Sequence, residues 1–341
     1  MATPDPFSKK ILVLFPGALG DFICFLPALD ALARDGEVDL LARTEYADLA
    51  PPRIRTGSLE RYEISRLFVA GAEREERLER FFGSYSSVYS WMGSGQRDFV
   101  GRLETLCGGR LGIFPFRPED SRVPVVDYFL SCLGVERPRE LPPYIPVRAE
   151  ASAWSEEFWR RGGLRGKKVL VLTPGSGARE KNWPLEFFLE VVEWWKRKFT
   201  GESLIVLGPV EEELGRSGKN WQQMRVVGGL DLAKLAALIR RCDLYLGNDS
   251  GVTHLASALG VETVALFGPT DPLEWAPYGN RTTVISQNIE CSPCSTQVMK
   301  NCPHRKCLTT LSAAHVIGRV EKFLAKTREN GTLLDNRGCR D

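Results

Sequence analysis

Two kinds of apolar spacing alternate along the chain. Ile11, Leu12, Val13, Leu14 and Phe15 form an unbroken apolar run closed by Pro16-Gly17, and from Asp21 to Arg34 apolar residues recur at helical spacing. A continuous apolar run of that length suits a strand buried on both faces, so the change of period at the glycine turn predicts strand, turn and helix. The same grammar returns at Lys168 to Thr173, closed by Pro174-Gly175, with a helix from about Pro184 to Lys198 and a strand over Ser203 to Leu207. The pattern then predicts a helix at 231–241, a strand at 243–246, a helix at 253–259 and a strand at 262–267. Strands that alternate with helices in this way predict an α/β chain with a parallel, doubly wound sheet in each half.

Pro138, Pro142, Pro143 and Pro146 separate the halves. Such a density of proline interrupts helix and central strand alike and suits an interdomain crossing. The expected division is therefore 1–148 and 149–325, with 326–341 a polar tail. Residues 43–66 carry Arg43, Arg53, Arg55, Arg61 and Arg66 with two prolines and little periodicity, and are expected to form a long, solvated loop region of the first domain.

Composition removes some classes of function. The 45 basic and 43 acidic side chains leave a net charge of +2, so no global field draws the chain to nucleic acid. The apolar run after the polar stretch Met1 to Lys10 is too short for a signal or membrane helix, and a cytoplasmic location is the expectation. Nine cysteines without a signal peptide do not suggest a disulfide framework. Four of them cluster at Cys291, Cys294, Cys302 and Cys307, near His304. Their spacing suits either tetrahedral zinc or a structural loop of free thiols, and no metal is assigned to them.

Three turns carry candidate chemistry. Gly247-Asn248-Asp249-Ser250-Gly251-Val252-Thr253-His254 sits where a strand ends and a helix begins, the edge at which an open α/β sheet binds ligands. Asp249 or Ser250 can cap the helix, the amides beyond can meet a diphosphate, and His254 can add a donor one turn in; plain capping and a packed imidazole are the structural alternatives. Pro174 to Pro184 also follows a strand, and there Gly175 and Gly177 permit close backbone approach while Lys181 can meet a departing phosphate. Pro16-Gly17-Ala18-Leu19-Gly20-Asp21 lacks the Gly-x-Gly-x-x-Gly fingerprint, which argues against a dinucleotide cofactor. Asp21 there is either a general base at a cleft edge or an N-terminal helix residue serving the dipole.

Taken in order, "GALGDFICFLPALDAL", "PGSGAREKNWPLEFF", "DLAKLAALIRRCDLYLGNDSGVTHLASALGVETVALFGPTDPLEWAPYG" and the late cysteines resemble glycosyltransferase family 9, which contains the ADP-heptose:lipopolysaccharide heptosyltransferases. The resemblance runs from about residue 11 to residue 320. It implies a GT-B architecture of two facing Rossmann-like domains, the acceptor mainly in the first and the donor mainly in the second, with a last helix near His315 to Leu324 crossing back. It also implies an inverting, metal-independent transfer of heptose from ADP-heptose, with no cofactor beyond the nucleotide-sugar co-substrate, to a hydroxyl of a lipopolysaccharide-core or related envelope glycan. Asp21 would deprotonate that hydroxyl. Lys181 and the amides around Ser250 and Gly251 would stabilise the leaving nucleotide, Ser176 and Gly177 would touch phosphate, Leu230 would lie by the base, and Glu211 or Glu212 would bind the ribose. A lipid-linked acceptor would bring the enzyme to the cytoplasmic face of the inner membrane as a peripheral protein.

The chain departs from the family in its acceptor half. Phe15-Pro16 stands where heptosyltransferases usually carry Lys or Arg, and Ser90-Trp91-Met92-Gly93 where an acidic residue precedes glycine. An obvious basic patch is missing unless arginines 53 to 66 supply it. Gly20, Arg53, Arg55 and Gly93 are accordingly the candidate acceptor contacts. The rival functions are a GT-B-type sugar-nucleotide epimerase, for which His254, His304 and His315 offer few acid/base groups, and a non-catalytic nucleotide-sugar-binding protein of envelope polysaccharide assembly.

Overall fold

The structure is a computed structural model that describes residues 9–118, 122–138, 145–208, 224–287 and 289–329. Among the described residues the chain falls into two compact units, the first ending at Pro146 and the second beginning at Val147.

The first unit is built on five strands: β1 (Lys10–Leu14), β2 (Glu37–Ala42), β3 (Arg55–Ser58), β4 (Ser87–Ser90) and β5 (Leu111–Ile113). They pair in the order β3-β2-β1-β4-β5, all parallel. β1 occupies the middle because its residues are apolar on both faces. Leu12 and Leu14 join Leu41, Val88, Phe82, Phe99 and Leu103 in one core cluster. Phe15, fully buried just past β1, enters an aromatic cluster instead, stacking on Phe25 at 4.3 Å and meeting Phe129 edge-on at 5.5 Å. Burying a side chain of this size contributes about 1.5–3 kcal/mol, so the central strand carries much of the unit's cohesion. The helix Leu19–Asp35 returns the chain from β1 to β2 and packs against the helix Val125–Ser131.

Residues 43–66 differ from the loop expected of them. They contain β3, a 3-10 turn at Thr44–Tyr46 and a short helix at Tyr62–Ser65. β3 is the edge strand, paired with β2 alone, and its sequence Arg-Thr-Gly-Ser carries no apolar alternation. Edge strands are held by backbone pairing and tolerate charge, which is why the hydrophobic pattern does not report them. The arginines of this region are engaged at home: Arg53 with Asp30, Arg55 with Asp39 and Glu37, Arg61 with Glu63, and Arg66 with Glu75.

The second unit has six strands: β6 (Val169–Thr173), β7 (Glu202–Val206), β8 (Val226–Val227), β9 (Leu244–Asn248), β10 (Thr263–Phe267) and β11 (Thr282–Ser286). Their order is β11-β10-β9-β6-β7-β8, again all parallel. Read from β8 this is the doubly wound dinucleotide-fold order, and the first unit has the same order short of its last strand. The helix Leu185–Phe199 covers one face through Phe188, Val191, Val192 and Trp195, and the helix Ala313–Glu329 adds Val316 and Val320 to the same core. In each unit the chain leaves its first strand in both directions across the sheet. The switch points are therefore β1/β4 and β6/β9, and the carboxyl ends of those strands are where such sheets hold ligands.

Glu63 tests how firmly the 43–66 region is held. Burial pushes its carboxyl up, but hydrogen bonds from Arg61, from backbone and from Arg77 outweigh this and hold it down from 4.5 to about 2. A depressed folded value means that the stabilisation is complete above the unfolded value and is lost as pH falls from about 4.5 to about 2. Glu63→Gln should therefore cost about 2 kcal/mol at pH 7, after allowing for solvent screening of the arginines, and should flatten the acid limb of stability below pH 4.5. Urea unfolding at pH 7 and pH 3 checks this, and an unchanged difference between the two pH values contradicts it.

Candidate active site

In the second unit the turn after β9 organises the chemistry. Ser250 adopts extended backbone and caps the helix Gly251–Ala258, its hydroxyl accepting from the Thr253 amide at 3.4 Å. Asp249 is thereby free of capping. Its Oδ2 accepts from Lys181 Nζ at 2.7 Å and from the Thr270 hydroxyl at 2.7 Å, and the residue is 6% exposed. The Thr253 and His254 amides return to Ser250, whereas those of Gly251 and Val252 open the helix at the positive end of its dipole, a setting that favours an anion. His254 is buried in the first turn, at 3% exposure.

The loop after β6 is brought to this turn by Asn248. Asn248 is fully buried; its Nδ2 donates to the Pro174 carbonyl at 2.7 Å and its Oδ1 accepts the Trp183 amide at 2.9 Å. Both ends of the 174–183 loop are thus pinned by one side chain, and Lys181 rides between them with its ammonium one quarter exposed. Ser176 spends its hydroxyl within the loop, on the Ala178 carbonyl at 2.7 Å and Asn182 Oδ1 at 2.6 Å. Gly177 is exposed, and a Cβ built on it meets nothing within 4 Å. Leu230 is half-buried directly before Asp231, the cap of the helix Leu232–Ile239. Glu211 and Glu212 lie outside the described residues.

Beneath the turn, Thr173, Tyr245 and Thr253 join hydroxyls, and burial pushes the Tyr245 phenol up to about 12. Gly247 lies over them: a Cβ there would fall 2.5 Å from Tyr245 Oη, 2.6 Å from Thr173 Oγ1 and 2.7 Å from Thr253 Oγ1.

In the first unit Asp21 sits in the first turn of the helix Leu19–Asp35, at 7% exposure. Its Oδ2 accepts the Ala18 amide at 3.1 Å, and Arg117 Nη2 stands 2.8 Å from Oδ1. The arginine contact is an ion pair out of line for a hydrogen bond, so Oδ1 keeps acceptor capacity. Gly17 makes this turn possible, since a Cβ on it would be 2.5 Å from the Phe15 ring and 2.7 Å from Asp21 Cβ. Gly20 forms part of the same first turn. Gly93 is fixed by a left-handed φ of 77° and by the Phe99 ring, 2.3 Å from where its Cβ would be. Arg53 and Arg55 lie on the ion pairs already described, Arg53 with Asp30 and Arg55 on the β2–β3 edge. Phe15 and Trp91, which lie in the Phe15-Pro16 and Ser90-Trp91-Met92-Gly93 stretches, both join the aromatic cluster, Trp91 through a 4.7 Å edge contact with Phe25.

The structure thus joins Lys181 to Asp249 and adds Thr270, Asn248 and Arg117, none of which the sequence assigned. Thr270 lies inside the "FGPTDP" string, whereas Arg117 comes from a loop with no motif around it. The four late cysteines are free thiols, and Cys307 is pushed up to about 11 by burial and then by the neighbouring thiols. Among the described residues no group of three or more His, Cys, Asp or Glu is placed to hold a metal ion.

A contrast between two glycines checks the geometry. Gly247→Ala should cost about 1–3 kcal/mol because three hydroxyls must move, whereas Gly177→Ala should stay within about 0.5 kcal/mol. Equal unfolding free energies of the two variants would contradict the packing described.

Comparison with known proteins gives these positions a context. The model of glycosyltransferase family 9 (heptosyltransferase) matches residues 129–304. The chain is 30% identical over 169 residues to lipooligosaccharide heptosyltransferase 2 of Campylobacter jejuni, covering 46% of this chain and 52% of that protein. It is 29% identical over 146 residues to lipopolysaccharide heptosyltransferase 1 of Pseudomonas aeruginosa, covering 41% and 39%. The chain therefore spans about half the length, or less, of these curated relatives. Among solved structures it resembles a glycosyl transferase family 9 protein of Veillonella parvula, with a TM-score of 0.74, 22% identity and coverage of 93% and 98%. It also resembles E. coli ADP-heptose LPS heptosyltransferase II, with a TM-score of 0.67, 18% identity and coverage of 94% and 100%. These likenesses show the fold, the GT-B class with two parallel α/β units. No helix among the described residues is long and apolar enough to cross a membrane.

Proposed function

Since the chain belongs to glycosyltransferase family 9, the heptosyltransferase family, we propose that it moves heptose from ADP-heptose to a hydroxyl of a lipopolysaccharide-core or related envelope glycan, by one inverting displacement that needs no metal ion. The observation that carries this is the joining of Lys181, Asp249 and Thr270 beside the open first turn of the Gly251–Ala258 helix. A cation and the Gly251 and Val252 amides at the carboxyl edge of a doubly wound sheet suit a nucleoside diphosphate. The choice of nucleotide is supported by E. coli heptosyltransferase WaaC, a structural neighbour solved with ADP and with ADP-2-deoxy-2-fluoro heptose.

In the proposed step the acceptor oxygen attacks the anomeric carbon of the donor. Its proton passes to Asp21, whose Oδ1 has acceptor capacity to spare, as the bond from the anomeric carbon to the diphosphate oxygen breaks. A single displacement inverts the anomeric centre. The electron pair leaves with ADP, and the new charge on the diphosphate is met by Lys181 and by the Ser250 and Gly251 amides. Asp249 holds Lys181 rather than touching phosphate itself, since both its contacts run to protein. Ser176 and Gly177 supply further backbone to the phosphates, His254 supports the turn from beneath, Leu230 flanks the base, and Glu211 is assigned to the ribose. Gly20 and Gly93 shape the acceptor side. A lipid-linked acceptor places the reaction at the cytoplasmic face of the inner membrane.

Melting with ADP, UDP, GDP and CDP tests the donor assignment, because a ligand at about 100 times its dissociation constant adds roughly 2.7 kcal/mol. ADP should stabilise selectively, and the effect should vanish in Lys181→Ala. With ADP-heptose and a heptose-free core acceptor, Asp21→Asn should lower turnover at least about 100-fold while ADP still binds. Preference for another nucleotide discards heptose, and an Asp21→Asn enzyme of near-normal turnover discards the base.

A further inference from the structure

The cysteine-bearing segment from Glu290 to Thr309 is not used by the proposed transfer, yet it touches both loops that meet at Asp249. At one end Ser292 Oγ donates to the Gly268 carbonyl and the Cys294 amide donates to the Pro269 carbonyl at 2.6 Å, next to Thr270. At the other end Arg305 Nη1 donates to the carbonyls of Arg179 at 3.1 Å and Asn182 at 3.3 Å, more than 120 residues away in sequence. These two carbonyls bracket Lys181. The stretch Arg179–Lys181 is one 3-10 turn, closed by the Lys181 amide on Ala178 and the Asn182 amide on Arg179. Asn248 pins the base of this loop and Arg305 crosses its outer side, above a cleft of 610 Å³ lined by Arg179, Asn182, Trp183, Cys302 and Arg305.

The mounting of Arg305 is specific. Its backbone is left-handed, with φ 43°, a conformation unfavourable for a non-glycine residue. Its amide donates to Cys302 Sγ at 3.4 Å. The turn that follows is anchored by Cys307 and by Leu308, the latter fully buried and pressed on Gly268, whose Cβ would lie 2.5 Å from Leu308 Cγ. One guanidinium nitrogen, Nη1, thus serves both carbonyls from a backbone held in place, an arrangement suited to fixing the loop. The loop itself is partly exposed and contributes little to the core beyond Trp183.

We infer that Arg305 is a positioning residue, which sets the 176–182 loop so that Lys181 stands at the donor diphosphate. The inference rests on the donor site proposed above. Arg305→Gly is the informative variant because glycine adopts the left-handed backbone without penalty, so that only the guanidinium is lost. Its melting temperature should stay within about 2 °C of wild type, as for a surface substitution. Without ligand, the amides of Arg179 to Trp183 should exchange hydrogen about tenfold faster. The dissociation constant for ADP, measured by calorimetry, should rise about tenfold, and free guanidinium at tens of millimolar should recover part of the loss. Arg305→Lys should fall between the two, since its ammonium ends one bond short of the position from which Nη1 serves both carbonyls.

Unchanged exchange in Arg305→Gly overturns the inference, because the loop is then held without the guanidinium. Faster exchange with unchanged ADP affinity overturns it equally, because the position of the loop is then immaterial to the donor. If wild type binds no nucleoside diphosphate, the donor assignment fails together with the role given to Lys181, and the exchange measurement by itself decides whether Arg305 holds the loop.

Discussion

The second unit depends on one buried amide. Asn248 closes β9 with no exposure, and its side chain reaches the loop that leaves β6. Burying an amide is costly unless its groups are paired, and both are, to the Pro174 carbonyl and the Trp183 amide. That pairing draws the ends of a flexible glycine- and proline-bearing loop onto the end of the neighbouring strand. Only then can the next residue, Asp249, meet Lys181. Ser250 takes over the cap, which frees Asp249 for this contact. Three consecutive side chains after Gly247 thus perform three separate tasks, and the glycine is there because the hydroxyls of Thr173, Tyr245 and Thr253 fill the space beneath.

The first unit solves a similar problem with aromatic packing. Its turn after β1 also needs a crowded glycine, Gly17, and also delivers a carboxylate, Asp21, to the edge of the sheet. What lies beneath is not a hydroxyl network but Phe15, Phe22, Phe25 and Trp91. Arg117 arrives from another loop, with Nη2 2.8 Å from Asp21 Oδ1, as the charge that meets the carboxylate.

The strands that were legible in the sequence are those that parallel pairing buries over most of their length, because burial makes them continuous apolar runs: β1, β6, β7, β9 and β10. The helices after them were legible from their apolar period and stop within a few residues of the expected ends. β3 and the short elements around it were not, since an edge strand spelled Arg-Thr-Gly-Ser owes its place to β2 and not to its own hydrophobicity. The same division holds in the site. Lys181, Asp249 and Ser250 stand beside glycine turns that announce a sheet edge. Arg117, Thr270 and Arg305 act from loops distant in sequence, and no local pattern records which carbonyl or carboxylate a long side chain will reach. The sequence also left open whether Asp249 or Ser250 caps the helix, and the backbone of Ser250 with its bond from the Thr253 amide gives the cap to Ser250.

The glycines show how function and folding can be separated in such a site. Gly17, Gly93 and Gly247 are each crowded by a named ring or hydroxyl, so the fold itself demands them. Gly177 meets nothing, so the fold makes no demand there. Its open side leaves the backbone approachable, as it does at several other glycines of the chain, so openness by itself does not mark a ligand. What sets Gly177 apart is its place in the loop that Asn248 pins at its base, that Arg305 bonds and that carries Lys181. The proposed donor site asks for that combination, a loop supported by the protein with one face open to solvent.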